Sequence, residues 1–250
     1  MTAEESAPAV RDLTIGNAEL RIFREDTALF AAAADEVLRV ARSALADRGR
    51  CDLALAGGST PRRLYSLVAA RAAELDWSRV HFFFGDERCV PPHHAESNYR
   101  MARETLLSAP ALAAAHVHRI HAELPPAEAA AQYEQEMRAH FAAELPRFDL
   151  VLLGMGPDGH TASLFPGTLA LAEQQRWVVA NWVANFGASR LTLTYPVLNS
   201  AAEVMFLVTG AEKCAALRQI FRDHQPLPAA AVQPSGKLLW LLDLAAAADL

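Results

Sequence analysis

Lysine is nearly missing from this chain. Of its 23 Lys and Arg residues only Lys213 and Lys237 are lysines. The rest are arginine, and alanine is abundant, so a lysine that survives this bias is a candidate for a specific role. Cysteine is scarce too. Cys51, Cys89 and Cys214 stand far apart with no Cys-x-x-Cys spacing. That excludes a disulfide scaffold and points to a reduced, cytoplasmic setting. No uninterrupted apolar run approaches the roughly 18 residues of a membrane span. Met1 to Val10 carries Glu4 and Glu5 where a signal peptide carries positive charge. There is no basic block, and the net charge is -6. Neither nucleic acid nor a membrane surface is therefore an expected partner. A few converging cations still suffice to hold an anionic small molecule.

What is present is an ordinary globular balance, 52% hydrophobic and 21% charged over 250 residues. One domain spanning 1–250 is expected, with room for a small subsidiary lobe. Short apolar runs end at glycine: Cys51–Ala56 before Gly57-Gly58, Val80–Phe84 before Gly85, Asp149–Leu153 before Gly154, and Glu203–Val208 near Gly210. Such runs predict strands buried on both faces of a parallel sheet. A further strand is expected at Trp177–Ala180. Helical patterns lie between them, at Thr27–Ala46, Pro61–Ala73, Asn98–Leu107, Pro126–Glu144 and Ala211–Asp223. Thr60 before Pro61 predicts an N-cap. The sheet pattern begins near residue 20, and Ser108–Ala115 and Asp223–Pro234 read as surface connections. This alternation predicts an α/β, doubly wound, mostly parallel sheet with helices on both faces.

In such sheets ligands bind beyond the carboxyl ends of the strands, and the unusual residues follow those ends. Gly57-Gly58-Ser59-Thr60-Pro61 allows close backbone approach, adds two hydroxyls and opens a helix, which suits a phosphate. It lacks the Gly-Lys-Ser/Thr of a P-loop and the final glycine of a serine-nucleophile elbow. Asp86, Glu87 and Arg88 cluster after the second strand, as a solvated turn or as groups over a polar substrate. Ser97 or Asn98 can cap the following helix.

Gly154-Met155-Gly156-Pro157-Asp158-Gly159-His160 literally contains Gly-x-Gly-x-x-Gly. A dinucleotide is nonetheless disfavoured. Pro157 lacks a donor N–H, Asp158 would oppose a pyrophosphate, and Glu173 precedes a strand when it should end one. A loop presenting Asp158 beside His160 is the better reading, since a carboxylate orients an imidazole or stabilises its protonated form. Arg190 opens the run Arg190–Tyr195, and Lys213 sits at a helix start, against the helix dipole, where a bound phosphate would justify it. His116, His118 and His121 form His-x-His-x-x-His without a neighbouring Cys or Asp. As a metal site that spacing is weak, and no metal is expected.

Taken together and in order, Leu-Ala-Gly-Gly-Ser-Thr-Pro (55–61), Phe-Gly-Asp-Glu-Arg (84–88), Gly-Met-Gly-Pro-Asp-Gly-His-Thr-Ala-Ser-Leu-Phe-Pro (154–166), Arg-Leu-Thr-Leu-Thr (190–194) and Gly210-x-x-Lys213 closely resemble the 6-phosphogluconolactonases, of the glucosamine-6-phosphate isomerase/6-phosphogluconolactonase family. The resemblance covers about residues 20–242. It implies a Rossmann-like fold and metal-free hydrolysis of 6-phosphogluconolactone to 6-phosphogluconate, the second step of the oxidative pentose phosphate pathway, with no cofactor. It implies His160 as the base that activates water, with Asp158 or Asp86 assisting and Arg88 on the developing oxyanion. Gly57, Gly58, Ser59, Thr60, Arg190 and Lys213 would hold the phosphate. The related deaminases carry a relay glutamate five residues after the histidine and Tyr at the Arg88 position. Here the first of these is Phe165. A noncatalytic sugar-phosphate sensor would need a DNA-binding helix pair, and none precedes the sheet pattern. The partner expected is a small sugar-phosphate lactone, bound by a monomer or small homo-oligomer.

Overall fold

The glycine-bounded apolar runs become the middle of one sheet in the computed structural model, which describes residues 9–250. The stretch with Glu4 and Glu5 lies outside the described residues. The strands in chain order are β1 (Arg11–Ile15), β2 (Ala18–Phe23), β3 (Cys51–Leu55), β4 (Val80–Phe84), β5 (Asp86–Arg88), β6 (His116–Val117), β7 (Leu150–Leu153), β8 (Val178–Val183), β9 (Ala188–Leu193), β10 (Glu203–Val208) and β11 (Lys237–Asp243). Eight of them pair in the order β1-β2-β11-β10-β7-β3-β4-β6. Every pair in this sheet is parallel except β1 with β2. Strand β3 leads outward through β4 to β6, while β7 leads the other way through β10 to β11. The winding reverses between β3 and β7, and that is where a doubly wound sheet opens a crevice.

The main helices are α1 (Asp26–Arg48), α2 (Ser59–Ala70), α3 (Asn98–Ala102), α4 (Pro126–Phe141), α5 (Tyr195–Asn199) and α6 (Cys214–Phe221). Helix α1 buries Leu29, Phe30, Ala33, Val37, Leu38 and Ala41 at helical spacing and stops at Gly49, whose φ of 69° is left-handed. Several expectations need correction. The sheet pattern starts at Arg11, because Asp12–Phe23 is a hairpin turning at Gly16-Asn17. Strand β11 was not expected: its run Lys-Leu-Leu-Trp-Leu-Leu-Asp has no closing glycine. A second sheet, antiparallel, joins β5, β9 and β8. Helix α2 starts at Ser59 with Gly58 at its N-cap, so Thr60 lies inside the first turn and does not cap it. Helix α4 ends at Phe141, three residues early, with Ala142 left-handed. The 223–234 connection is not simply surface: Ala229 N–H donates to Gly159 O at 2.9 Å and Tyr195 donates to Pro228 O at 2.9 Å.

Lys237, one of the two lysines, has a structural partner. It donates to Glu36, which is 8% exposed and also accepts from Arg39 Nε at 2.9 Å. Burial pushes the Glu36 carboxyl up, but the two cations outweigh it and bring it down to about 2. The stability this adds is therefore complete above the ordinary value of 4.5 and is lost as pH falls towards about 2. Glu36→Gln should cost about 1–3 kcal/mol near neutral pH. Urea midpoints for wild type and variant should converge on acidification; a gap independent of pH would refute the assignment.

Candidate functional site

The loops after β3, β4, β7 and β10 meet over the reversal point and line a cavity of about 470 Å³. Gly57, Gly58, Ser59, Thr60, Asp86, Arg88, His160 and Lys213 all line it, brought from four separate segments. Asp158 stands one layer back, behind His160.

The loop after β7 is folded by its own backbone. Gly156 N–H donates to His160 O at 2.9 Å and Gly159 N–H to Gly156 O at 3.0 Å. Thr161 Oγ1 donates to Gly154 O at 2.8 Å. This tight loop sets Asp158 Oδ1 2.5 Å from His160 Nδ1 and 3.2 Å from the His160 N–H. With Nδ1 engaged, Nε2 is the nitrogen left for the cavity. A Cβ at position 156 would stand 2.1 Å from His160 Nδ1 and 2.7 Å from Asp158 Oδ1, so only glycine leaves room for the pair. Burial raises the Asp158 carboxyl, but its bonds to His160 prevail and hold it below the usual aspartate range. The carboxylate thus stays charged and keeps its grip on the ring. Phe165 stacks on the imidazole with centroids 4.0 Å apart.

Asp86 is buried and does something else. Its Oδ2 accepts from Ser163 Oγ at 2.6 Å and its Oδ1 from Asn98 Nδ2 at 2.9 Å. It fastens the histidine loop to the start of α3. Glu87 accepts from the N–H groups of Arg88, Asn98 and Tyr99 and from Ser97 Oγ. It thereby caps α3 together with Ser97, which accepts from Arg100 N–H at 3.1 Å. Burial pushes Glu87 up despite these donors. Ser163, Asn98 and Glu87 were not foreseen as organisers. Their signal was position alone: each lies within a segment already marked as unusual.

Two cationic ends flank the cavity. At one, Ser59 and Thr60 form the first turn of α2, and the α2 dipole points its positive end inward. Thr60 Oγ1 lies 3.3 Å from Thr209 Oγ1, joining that turn to the loop carrying Lys213. Lys213 is mostly covered, and its nearest carboxylate, Glu212, is 3.6 Å away and largely exposed. Lys213 lies in a 3-10 turn, Ala211–Lys213, that leads into α6. At the other end Arg88 donates to Glu96 O at 2.5 Å and is paired in register with Arg190. Arg190 is not in the lining. Its Nε is buried without a protein partner, and its guanidinium rests over Phe186 at 5.1 Å. Burial and the charge of Arg88 lower its proton affinity, against the pull of Asp86. Neither arginine has a carboxylate ion-pair partner among the described residues. This is a surplus of positive charge that an anion can neutralise.

The weak His116–His121 pattern does not assemble. His118 instead joins His81 and His140 from other segments, away from the cavity, while His121 lies 3.7 Å from Glu123.

Residues 24–240 match the family described as glucosamine-6-phosphate isomerases/6-phosphogluconolactonase. A 6-phosphogluconolactonase of Nostoc is 42% identical over 238 residues, 92% of this chain and 98% of the relative. One from Homo sapiens is 43% identical over 238 residues, 91% and 92% of the two chains. Among solved structures, a 6-phosphogluconolactonase from Trypanosoma cruzi superposes with a TM-score of 0.84 at 30% identity, covering 96% of this chain and 98% of the other. One from Thermotoga maritima gives 0.80 at 32%, covering 90% and 99%.

Proposed function

The chain belongs to the glucosamine-6-phosphate isomerase/6-phosphogluconolactonase family, and from that premise we propose that its crevice hydrolyses 6-phospho-D-glucono-1,5-lactone to 6-phospho-D-gluconate with His160 as base. The observation that carries the reading is the Asp158–His160 contact of 2.5 Å at a cavity lined by Arg88 and Lys213.

The chemistry follows from the placement. Asp158 holds the proton on Nδ1 and fixes the ring, so the Nε2 lone pair accepts a proton from a water molecule. The water oxygen bonds to the lactone carbonyl carbon, and the carbonyl electrons move onto oxygen. Arg88 stabilises that oxyanion. The carbonyl re-forms as the ring C–O bond breaks, and the imidazolium returns its proton to the departing oxygen. Asp86 keeps the loop in place and does not touch the base, so Asp158 is the assisting carboxylate. Gly57 and Gly58 let the backbone close on the phosphate, Ser59 and Thr60 donate to it, and Lys213 neutralises it. Arg190, expected as a second counter-ion, instead lies beside Arg88 at the other end and outside the lining, where it adds to the positive potential around the oxyanion. Charge-assisted bonds of this type contribute about 1.5–3 kcal/mol each.

Ring-opening and amine loss from glucosamine 6-phosphate are not favoured, because Phe165 packs an apolar ring on His160 where a relay carboxylate is needed. The enzyme acts as a monomer or a small homo-oligomer on a small sugar-phosphate lactone. No helix among the described residues is long and apolar enough to cross a membrane, and free thiols at Cys51, Cys89 and Cys214 fit a cytoplasmic enzyme.

His160→Ala should lower kcat by about 10²–10⁴, after subtraction of spontaneous lactone opening, with sugar-phosphate binding nearly unchanged. Ammonia release from glucosamine 6-phosphate at comparable rates would establish a deaminase instead. Binding without acceleration of either reaction would establish a sensor. Lys213→Ala should raise KM for the phosphorylated lactone far more than for gluconolactone, and equal effects would remove Lys213 from the phosphate site. Dialysis against a strong chelator should leave kcat intact, since His160 itself supplies the base; loss restored by zinc would reassign the water activation to a metal.

A further inference from the structure

Far from the crevice, three histidines converge from three elements. His81 lies near the start of β4, His118 directly after β6, and His140 in the last turn of α4. One ring nitrogen from each lies within 4.8 Å of the others. Only Phe82, Phe83 and Phe84 lie between His81 and Gly85 at the cavity rim, which spans about 13 Å of extended chain. We propose that His81, His118 and His140 bind a divalent transition-metal ion of the zinc class, at a site separate from the catalytic crevice.

The hydrogen bonding around the rings favours this over a merely packed cluster. Glu136 Oε1 lies 2.6 Å from His118 Nδ1, and Asp52 Oδ1 lies 2.7 Å from His140 Nε2. A carboxylate behind an imidazole is the usual outer support of a metal-bound histidine, fixing the tautomer and increasing ligand basicity. With its Nδ1 proton given to Glu136, His118 turns the Nε2 lone pair inward. That nitrogen is 3.0 Å from His81 Nδ1, so the two share one proton. For an ion to enter between them, His81 moves this proton from Nδ1 to Nε2, and both facing nitrogens then present lone pairs to the metal. Tetrahedral zinc at about 2.0–2.1 Å from each nitrogen needs them about 3.3 Å apart; the His81–His118 pair, at 3.0 Å, opens by a few tenths of an ångström, and the His140 nitrogen, within 4.8 Å of both, adjusts to meet the ion. The two carboxylates offset the charge of the ion, although Arg50 already shares Asp52 at 2.9 Å. His116 stacks on His81 with centroids 4.3 Å apart, and His118 stacks on Phe83 at 4.2 Å, which fix the ring planes. All three histidines are half-buried, so an ion can enter and water can take the fourth position. Imidazole nitrogens without thiolates select zinc, copper, nickel or cobalt over magnesium or calcium.

The test uses the untagged full chain, freed of metal with a chelator. Titration with Zn2+ against a chromophoric competitor should show one equivalent bound with a micromolar or tighter Kd, and Co2+ should give the visible bands of tetrahedral nitrogen coordination. Zinc at about 100 times Kd should raise Tm by about 5–10 °C. His118→Phe, which keeps the stacking, and His140→Gln should each weaken binding at least 100-fold. Glu136→Gln, at a partly exposed position, should weaken it about 10-fold. His160→Ala should bind as wild type does. Stoichiometric binding unchanged in His118→Phe and His140→Gln, binding lost in His160→Ala, or no binding below millimolar zinc would each overturn the proposal.

Discussion

The proposed chemistry hangs on one contact, the Asp158 carboxylate against Nδ1 of His160 at 2.5 Å. A loop imidazole free to rotate offers either nitrogen in any direction. Held by Asp158, it offers only Nε2 and only towards the cavity. The contact in turn depends on an absence, since any side chain at position 156 would occupy the space of the ring. It depends also on layers behind it. Asp86 grips Ser163 in the same loop, Asn98 grips Asp86, and Glu87 caps the helix that presents Asn98. Two buried carboxylates thus position the loop of a third, which holds the proposed base.

The charge distribution reverses the balance of the whole chain. Net charge is -6, yet the crevice is lined by Arg88 and Lys213 and backed by Arg190, with no carboxylate within ion-pair distance of the two arginines among the described residues. Elsewhere the arginines are mostly neutralised locally, as in Arg71 with Asp35 and Glu74. An acidic exterior and a cationic crevice make a poor binder of polyanions and a suitable binder of one phosphate. The two lysines divide along the same line. Lys237 is consumed by buried Glu36, whereas Lys213 has only the exposed Glu212 near it.

Glycine punctuation explains what the sequence disclosed. Strands β3, β4 and β7 each run into a glycine that the active crevice requires, so function itself marked their ends. Strand β11 puts no residue in the crevice lining, although its last residue, Asp243, accepts from the Gly210 N–H at 2.9 Å, and the β1–β2 hairpin lies at the sheet margin. Strand β11 has no closing glycine, and the sheet expected from about residue 20 caught only the second half of the hairpin. Within the crevice the nature of each group was legible but its partner was not. Asp158 and Asp86 are equivalent as letters near a histidine, and only the fold shows one on the ring and the other on Ser163 and Asn98. Likewise His-x-His-x-x-His looked local, whereas His118 finds its neighbours 37 residues before it in His81 and on α4 in His140. Long-range pairing of this kind leaves no spacing to count.

The two ends of the parallel strands accordingly meet different demands. At the carboxyl ends, backbone N–H groups and helix starts accumulate positive potential, loops replace regular structure, and Arg88 and Arg190 have no carboxylate ion-pair partner among the described residues. Such a site weakens the fold locally, because unneutralised cations repel and an orphan guanidinium nitrogen stays buried. Near the start of β4 the opposite holds. There every histidine of the trio is hydrogen-bonded or stacked, and Asp52 and Glu136 close the network between β3, β4, the short β6 and α4. Strand β6 has only two residues and pairs with β4 through His116 and Val117, so backbone bonds alone hold that edge weakly. The imidazole cluster supplies the side-chain cross-links that the edge lacks. The rigidity of β4 is fixed at this end and used at the other, where the same strand delivers Gly85, Asp86 and Arg88 to the crevice.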